Sequence, residues 1–175
     1  MSGSSDKVLV ANHSWARIIL IGRNPSWTAV RIVVLVTLTF IVAKFVFIPI
    51  RVEGVSMLPT YGQGKINFIN ALAYRSRGPQ RGDVISIRMA GKRVMLMKRV
   101  VGLPGEVIAF QDGRLWVDGR PLPEPYVKYP CNWQMEPKKV GPNEYYVVGD
   151  NRSMMQSDHS EGRVERKRIV GKVLL

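Results

Sequence analysis

Residues 32–50 read IVVLVTLTFIVAKFVFIPI, nineteen residues with a single charge, Lys44. As a helix this run spans roughly 28 Å, about the thickness of a bilayer's hydrocarbon core. Lys44 lies near its end, where the amine reaches the interface while the stem follows apolar surface. A buried soluble helix would need other elements to surround it, and a chain of 175 residues offers none suited to that. Against a cleaved leader, the run starts late and passes into IPIRVEG with no small-x-small cleavage site. The expectation is a retained anchor over 29–50, with Lys7, Arg17, Arg23 and Arg31 before it and Arg51 alone close behind. The positive-inside bias then puts residues 1–28 in the cytoplasm and 51–175 outside.

Composition narrows the rest. The net charge of +13 suits nucleic acid or an anionic membrane surface, and residues 51–175 carry 21 Lys and Arg against 12 Asp and Glu. The bases are scattered rather than clustered, and no recognition-helix pattern occurs, so no nucleic-acid partner is expected. One cysteine, Cys131, excludes an intramolecular disulfide framework and Cys-rich metal modules, and reads as a free thiol. Two histidines, His13 and His159, leave little for a metal site or a histidine-based triad. No metal or organic cofactor is expected.

Beyond the anchor the sequence reads as mostly β. VISI (84–87), VMLM (94–97), VIAF (107–110), LWV (115–117), YYVV (145–148) and VGKVLL (170–175) are strand candidates separated by turn residues. Asp118-Gly119 fits a type I′ hairpin, in which both central residues need φ > 0. NFINALAY (67–74) reads as a short helix, and the proline-rich segment 121–142 as an extended loop.

Two residues stand out chemically. Ser56, in RVEGVSMLPT, follows the anchor directly; alone it is an ordinary turn serine. Lys98, in VMLMKRVVGLPGE, shares a strand face with Val94, Leu96 and Val100, while Arg99 points the other way. Such a lysine usually snorkels or pairs with a carboxylate. Buried without a partner it becomes neutral near physiological pH and can serve as a general base. A serine hydroxyl needs such a base, and Ser–Lys variants of the triad logic exist.

GVSMLPT (54–60), GDV (82–84), KRVVGLPGE (98–106), LWVDGRPLPEPYV (115–127) and GDNR (149–152) occur in that order behind the apolar run. This series resembles the type I signal peptidases, membrane-anchored Ser–Lys peptidases that remove signal peptides. The resemblance covers residues 32–175. It implies a coiled β-sheet, barrel-like catalytic domain behind one transmembrane helix. Ser56 would be the nucleophile, Lys98 the general base and the Ser56 N–H an oxyanion donor, with Asp150 to Arg152 holding the core. The substrate would be a preprotein bound as an added β-strand, with small residues one and three positions before the cut. The expected location is the bacterial inner membrane, with anionic headgroups as a second partner.

The chain departs from the family pattern after GDNR. The segment reads GDNRSMMQSDHSEGRV, with Met155 where a serine often orients the lysine, Ser157 where an aspartate falls and His159 where an arginine falls. Ser153 and Ser157 remain candidates for that orienting role. Gly54 stands where some members carry an oxyanion hydroxyl, and Lys65 replaces an aspartate. Two rival readings follow: a tethered homologue that binds peptides without cutting them, and a self-cleaving Ser–Lys regulator. The second would carry a DNA-binding helical domain in place of the apolar run.

Overall fold

The computed structural model describes residues 25–89, 95–159 and 162–174. The chain divides into two units, residues 1–44 and 45–175. Helix α1 (Pro25–Val46) opens on Pro25, where a missing N–H costs no intrahelical bond. Its segment Ser26–Val46 has a mean hydropathy of 2.3 and is long and apolar enough to cross a membrane. Helix ends where Val46 passes into strand β1 (Phe47–Arg51), so residues 47–50 of the apolar run are strand rather than helix. Pro49 is tolerated there because β1 is an edge strand with no ladder on its outer side.

Residues 45–175 build two antiparallel sheets. Along the chain follow β2 (Ile66–Asn70), β3 (Val84–Arg88), β4 (Met95–Gly102), β5 (Val107–Gln111) and β6 (Arg114–Val117). Then come β7 (Arg120–Pro121), β8 (Met135–Lys139), β9 (Glu144–Val148), β10 (Arg163–Glu165) and β11 (Ile169–Leu174). The seven-stranded sheet has the order β1-β2-β11-β3-β4-β9-β10, the four-stranded sheet β7-β6-β5-β8. The fold class is therefore mostly β, as the pattern of short apolar runs led us to expect.

Alternation along the strands distributes the core. On β9, Tyr146 and Val148 enter a cluster with Phe110, Leu115 and Trp133, joining the two sheets. Tyr145 and Val147 face the other way, into a cluster with Ile85, Ile87, Val100 and Val164. A third cluster gathers Val52, Met57, Tyr61, Ile69 and Val84, with Met95 and Met97 against it. The Asp112-Gly113 and Asp118-Gly119 turns both have φ between +48° and +74°, the left-handed geometry a two-residue hairpin demands.

Two sequence expectations need correction. Residues 67–74 form β2 and a turn, not a helix. Ile69 is pinned by ladders on both sides, opposite Ile48 of β1 and Val173 of β11, and these override a weak local preference. The Asn70 side chain then accepts the Leu72 N–H at 3.0 Å and turns the chain. The segment 121–142 is not loop throughout: β7 pairs with β6, and β8 pairs with β5.

Candidate active site

Ser56 sits in a loop closed at its base. The Val52 N–H donates to Lys65 C=O at 2.9 Å, and the Gly64 N–H donates to Val52 C=O at 2.8 Å. The Tyr61 N–H reaches Met57 C=O at 2.9 Å, making one helical turn just after the serine. Met57 and Tyr61 are buried against Val52, so apolar anchors fix the loop on both sides of Ser56. Gly54, with φ +91°, occupies the left-handed region and offers no hydroxyl.

Lys98 lies on β4 opposite Ile85 of β3, and Arg99 opposite Val84. The two neighbours therefore point to opposite faces, as the alternation predicts. Lys98 is only 4 % exposed. Among the described residues no carboxylate pairs with it and no hydrogen bond reaches its amine. Burial alone pushes its pKa below the ordinary lysine value. No hydrogen bond joins it to Ser56 either.

The Gly149–Arg152 turn ties the two segments together. β9 pairs with β4 through Arg99↔Val148, so the residues after Val148 continue alongside the strand that carries Lys98. Asn151 then holds the serine loop: its N–H donates to Ser56 C=O at 3.0 Å and its side-chain amide donates to Val55 C=O at 3.1 Å. Asp150, fully buried, accepts from Arg99 Nε at 2.8 Å and Arg99 Nη2 at 2.6 Å. It also accepts from the Thr60 hydroxyl at 2.6 Å, four residues beyond Ser56. Burial would lower the Arg99 pKa, but the Asp150 carboxylate more than offsets it. Burial pushes Tyr61, beside this pair, up to about 12, so its hydroxyl stays protonated.

Met155, standing where a serine often orients the lysine, is 73 % exposed and turned to solvent. Ser153 donates to Asn151 Oδ1 at 2.7 Å and so braces the turn. Ser157 lies in a short 3-10 helix, Gln156–His159, and makes no hydrogen bond to Lys98. Cys131 is a free, half-buried thiol facing Gly113 C=O at 3.6 Å. Among the described residues no group of three His, Cys, Asp or Glu side chains is placed to hold a metal.

Glu124 and Tyr126, which the sequence did not single out, complete the surroundings together with Arg152. Arg152, 1 % exposed, gives both terminal nitrogens to Glu124, and its Nε donates to Gly149 C=O at 2.9 Å. The Tyr126 ring lies 4.0 Å from the Arg99 guanidinium carbon.

Comparison with known proteins places the chain in a family. Residues 26–175 match the family described as "Signal peptidase, peptidase S26". Signal peptidase I V of Bacillus subtilis (strain 168) is 35 % identical over 153 residues, covering 79 % of this chain and 90 % of its own. Signal peptidase I of Bacillus licheniformis is 32 % identical over 151 residues, covering 80 % of this chain and 81 % of its own. Signal peptidase IB of Staphylococcus aureus (strain N315) is 30 % identical over 162 residues, covering 82 % and 84 %. A match this long, on a β fold whose GDNR turn grips the serine loop, makes the chain a member of the signal peptidase S26 family, a serine peptidase that removes signal peptides.

Proposed function

We propose that the chain cuts preproteins through a Ser56–Lys98 dyad while anchored in the bacterial inner membrane by α1. The observation that carries this reading is a lysine 4 % exposed, with no carboxylate partner among the described residues, on the strand beside the turn that holds Ser56. Desolvation favours the neutral amine, the form that can accept a proton. Lys98 takes the Ser56 proton as Oγ attacks the scissile carbonyl, and backbone N–H groups, that of Ser56 among them, stabilise the oxyanion. The ammonium so formed protonates the leaving amine. Neutral again, Lys98 activates the water that releases the acyl group.

Membrane attachment rests on α1 and on the outer face of β1 and β2. Phe47 pairs with Asn70 and Pro49 with Phe68, so Phe47, Pro49, Ile66 and Phe68 share one exposed face. That face would rest against lipid, with basic residues such as Arg51 and Lys65 at its rim meeting anionic headgroups. The anchor would confine enzyme and membrane-inserted preprotein to one layer, raising their effective concentration.

The test is cleavage of a signal-bearing preprotein by the purified full chain in detergent. Ser56→Ala and Lys98→Arg should each abolish turnover, the arginine because a guanidinium does not deprotonate in this range. The double variant should cost no more than either single one, because the pair acts as a unit. Turnover by Ser56→Ala refutes the mechanism. For topology, protease added to spheroplasts should reach residues 51–175 and spare residues 1–28; protection of 51–175 refutes the orientation.

A further inference from the structure

We infer that Tyr126 is a positioning residue for the reaction, holding the Ser56 loop and the Lys98 strand in register through Arg99. The inference rests on the dyad reading. Arg99 is the covalent neighbour of Lys98, and its guanidinium is held at every edge. Nε and Nη2 donate to Asp150, and Nη1 donates to Gly82 C=O at 2.8 Å. Edge bonds fix a planar ion within its plane but leave it free to tilt. The Tyr126 ring, 4.0 Å beneath, is the surface that stops the tilt.

The ring is itself held. The Tyr126 hydroxyl donates to Glu124 Oε1 at 2.5 Å, and Glu124 receives both terminal nitrogens of Arg152. Pro125 fixes the backbone between them, and the Val127 N–H closes the turn on Glu124 C=O at 3.0 Å. Two arms therefore leave this turn and end on the same loop. One runs from Tyr126 through Arg99 and Asp150 to Thr60. The other runs from Glu124 through Arg152 and its neighbour Asn151 to the carbonyls of Val55 and Ser56. A buried ion pair such as Arg152–Glu124 contributes little net stability, because desolvating both charges offsets their attraction. What it supplies here is geometry: Tyr126 is wedged between the arms, at the one point where tilting Arg99 would move both Thr60 and the strand carrying Lys98.

The experiment measures kcat and KM separately for the full chain in detergent acting on a preprotein, with Ser56→Ala alongside. Tyr126→Leu should lower kcat at least about tenfold, as small misplacements of reacting groups do, while KM moves less than about threefold. Tyr126→Phe, which keeps the ring, should stay within about threefold of the parent in both. Thr60→Val should lower kcat, and Tyr126→Leu combined with Thr60→Val should be no worse than the poorer single variant. Should Tyr126→Leu lack a cooperative melt, Arg99→Lys, which keeps the charge and loses the plane, should show the same loss confined to kcat. The inference is overturned by an unchanged kcat in Tyr126→Leu or Arg99→Lys, by a loss confined to KM, by Tyr126→Phe as damaged as Tyr126→Leu, or by multiplicative effects in the double variant. Activity in Ser56→Ala instead refutes the dyad; an inactive Ser56→Ala beside an unaffected Tyr126→Leu refutes the clamp alone.

Discussion

Replacing Lys98 with methionine should destroy the enzyme and strengthen the fold. Methionine has nearly the length and volume of lysine, so the exchange leaves no large cavity and its packing cost stays below about 1.5 kcal/mol. In return the buried amine disappears. Lys98 is 4 % exposed, and desolvation is the cause that depresses its pKa. Each unit of depression corresponds to about 1.4 kcal/mol of stability that the parent forgoes at pH values below the folded pKa. The sign follows from proton counting. Between the depressed folded value and the ordinary value near ~10.4, the unfolded chain binds a proton that the folded chain does not, so parental stability rises with pH across that window. The gap between Lys98→Met and parent should therefore be widest at and below the folded value. Above it the gap should close by about 1.4 kcal/mol per pH unit. Urea unfolding followed by tryptophan fluorescence at a series of pH values gives the break in that line. The acidic limb of kcat/KM for the parent gives the same pKa independently. A gap that does not change with pH, or a break more than about one unit from the acidic limb, would refute the account of Lys98 as a desolvated base.

Four further outcomes are expected. Asp150→Asn leaves the Arg99 guanidinium without its counter-charge in a site where Asp150 is fully buried, and should cost about 3–5 kcal/mol in urea unfolding. Lys167→Ala removes an exposed pair with Glu165 and should leave the same midpoint unmoved. Gly171→Ala places a methyl group 2.3 Å from Asn70 C=O, which should destabilise the β11–β2 ladder by about 1–3 kcal/mol and lower the melting midpoint. Burial pushes the Asp83 pKa up, but the Lys172 ammonium at 2.7 Å, the Gln80 N–H and the Tyr74 hydroxyl outweigh it and hold it down. Its contribution is thus present above the ordinary carboxylate value and lost as pH falls through the depressed one, so Asp83→Asn should flatten the acid side of the stability curve below about pH 4.

Those elements whose reason is local could be read from the sequence. VIAF and YYVV become β5 and β9 within a residue, because a buried strand advertises itself as a short apolar run between turn signals. β8 could not be read: MEPKK has one buried residue, and its Pro137 is tolerated only because β8 is the edge of its sheet. β2 is not legible locally because its evidence lies in β1 and β11, one nearby and one about a hundred residues away. The site divides in the same way. Period-2 alternation isolates Lys98 on its own strand, so the base candidate is visible in eight residues. Glu124 and Tyr126 are not, since their partners Arg152 and Arg99 come from other elements and nothing in LPEPY names them.

The place of β11 in the larger sheet sets the order in which that sheet can close. This strand, Ile169–Leu174, is the last in chain order, yet it lies between β2 and β3, with Lys172 opposite both Asn70 and Ile85. Strand β3 is in turn the partner of the strand that carries Lys98. During synthesis the Ser56 loop and Lys98 emerge long before the strand that completes their sheet, and pairing over such separations is slow. A growing chain that has delivered only as far as β10 has no β11 to bridge β2 and β3, so the sheet stays split beside the future site. The sheet beside Ser56 and Lys98 is therefore complete only once β11 has joined β2 to β3.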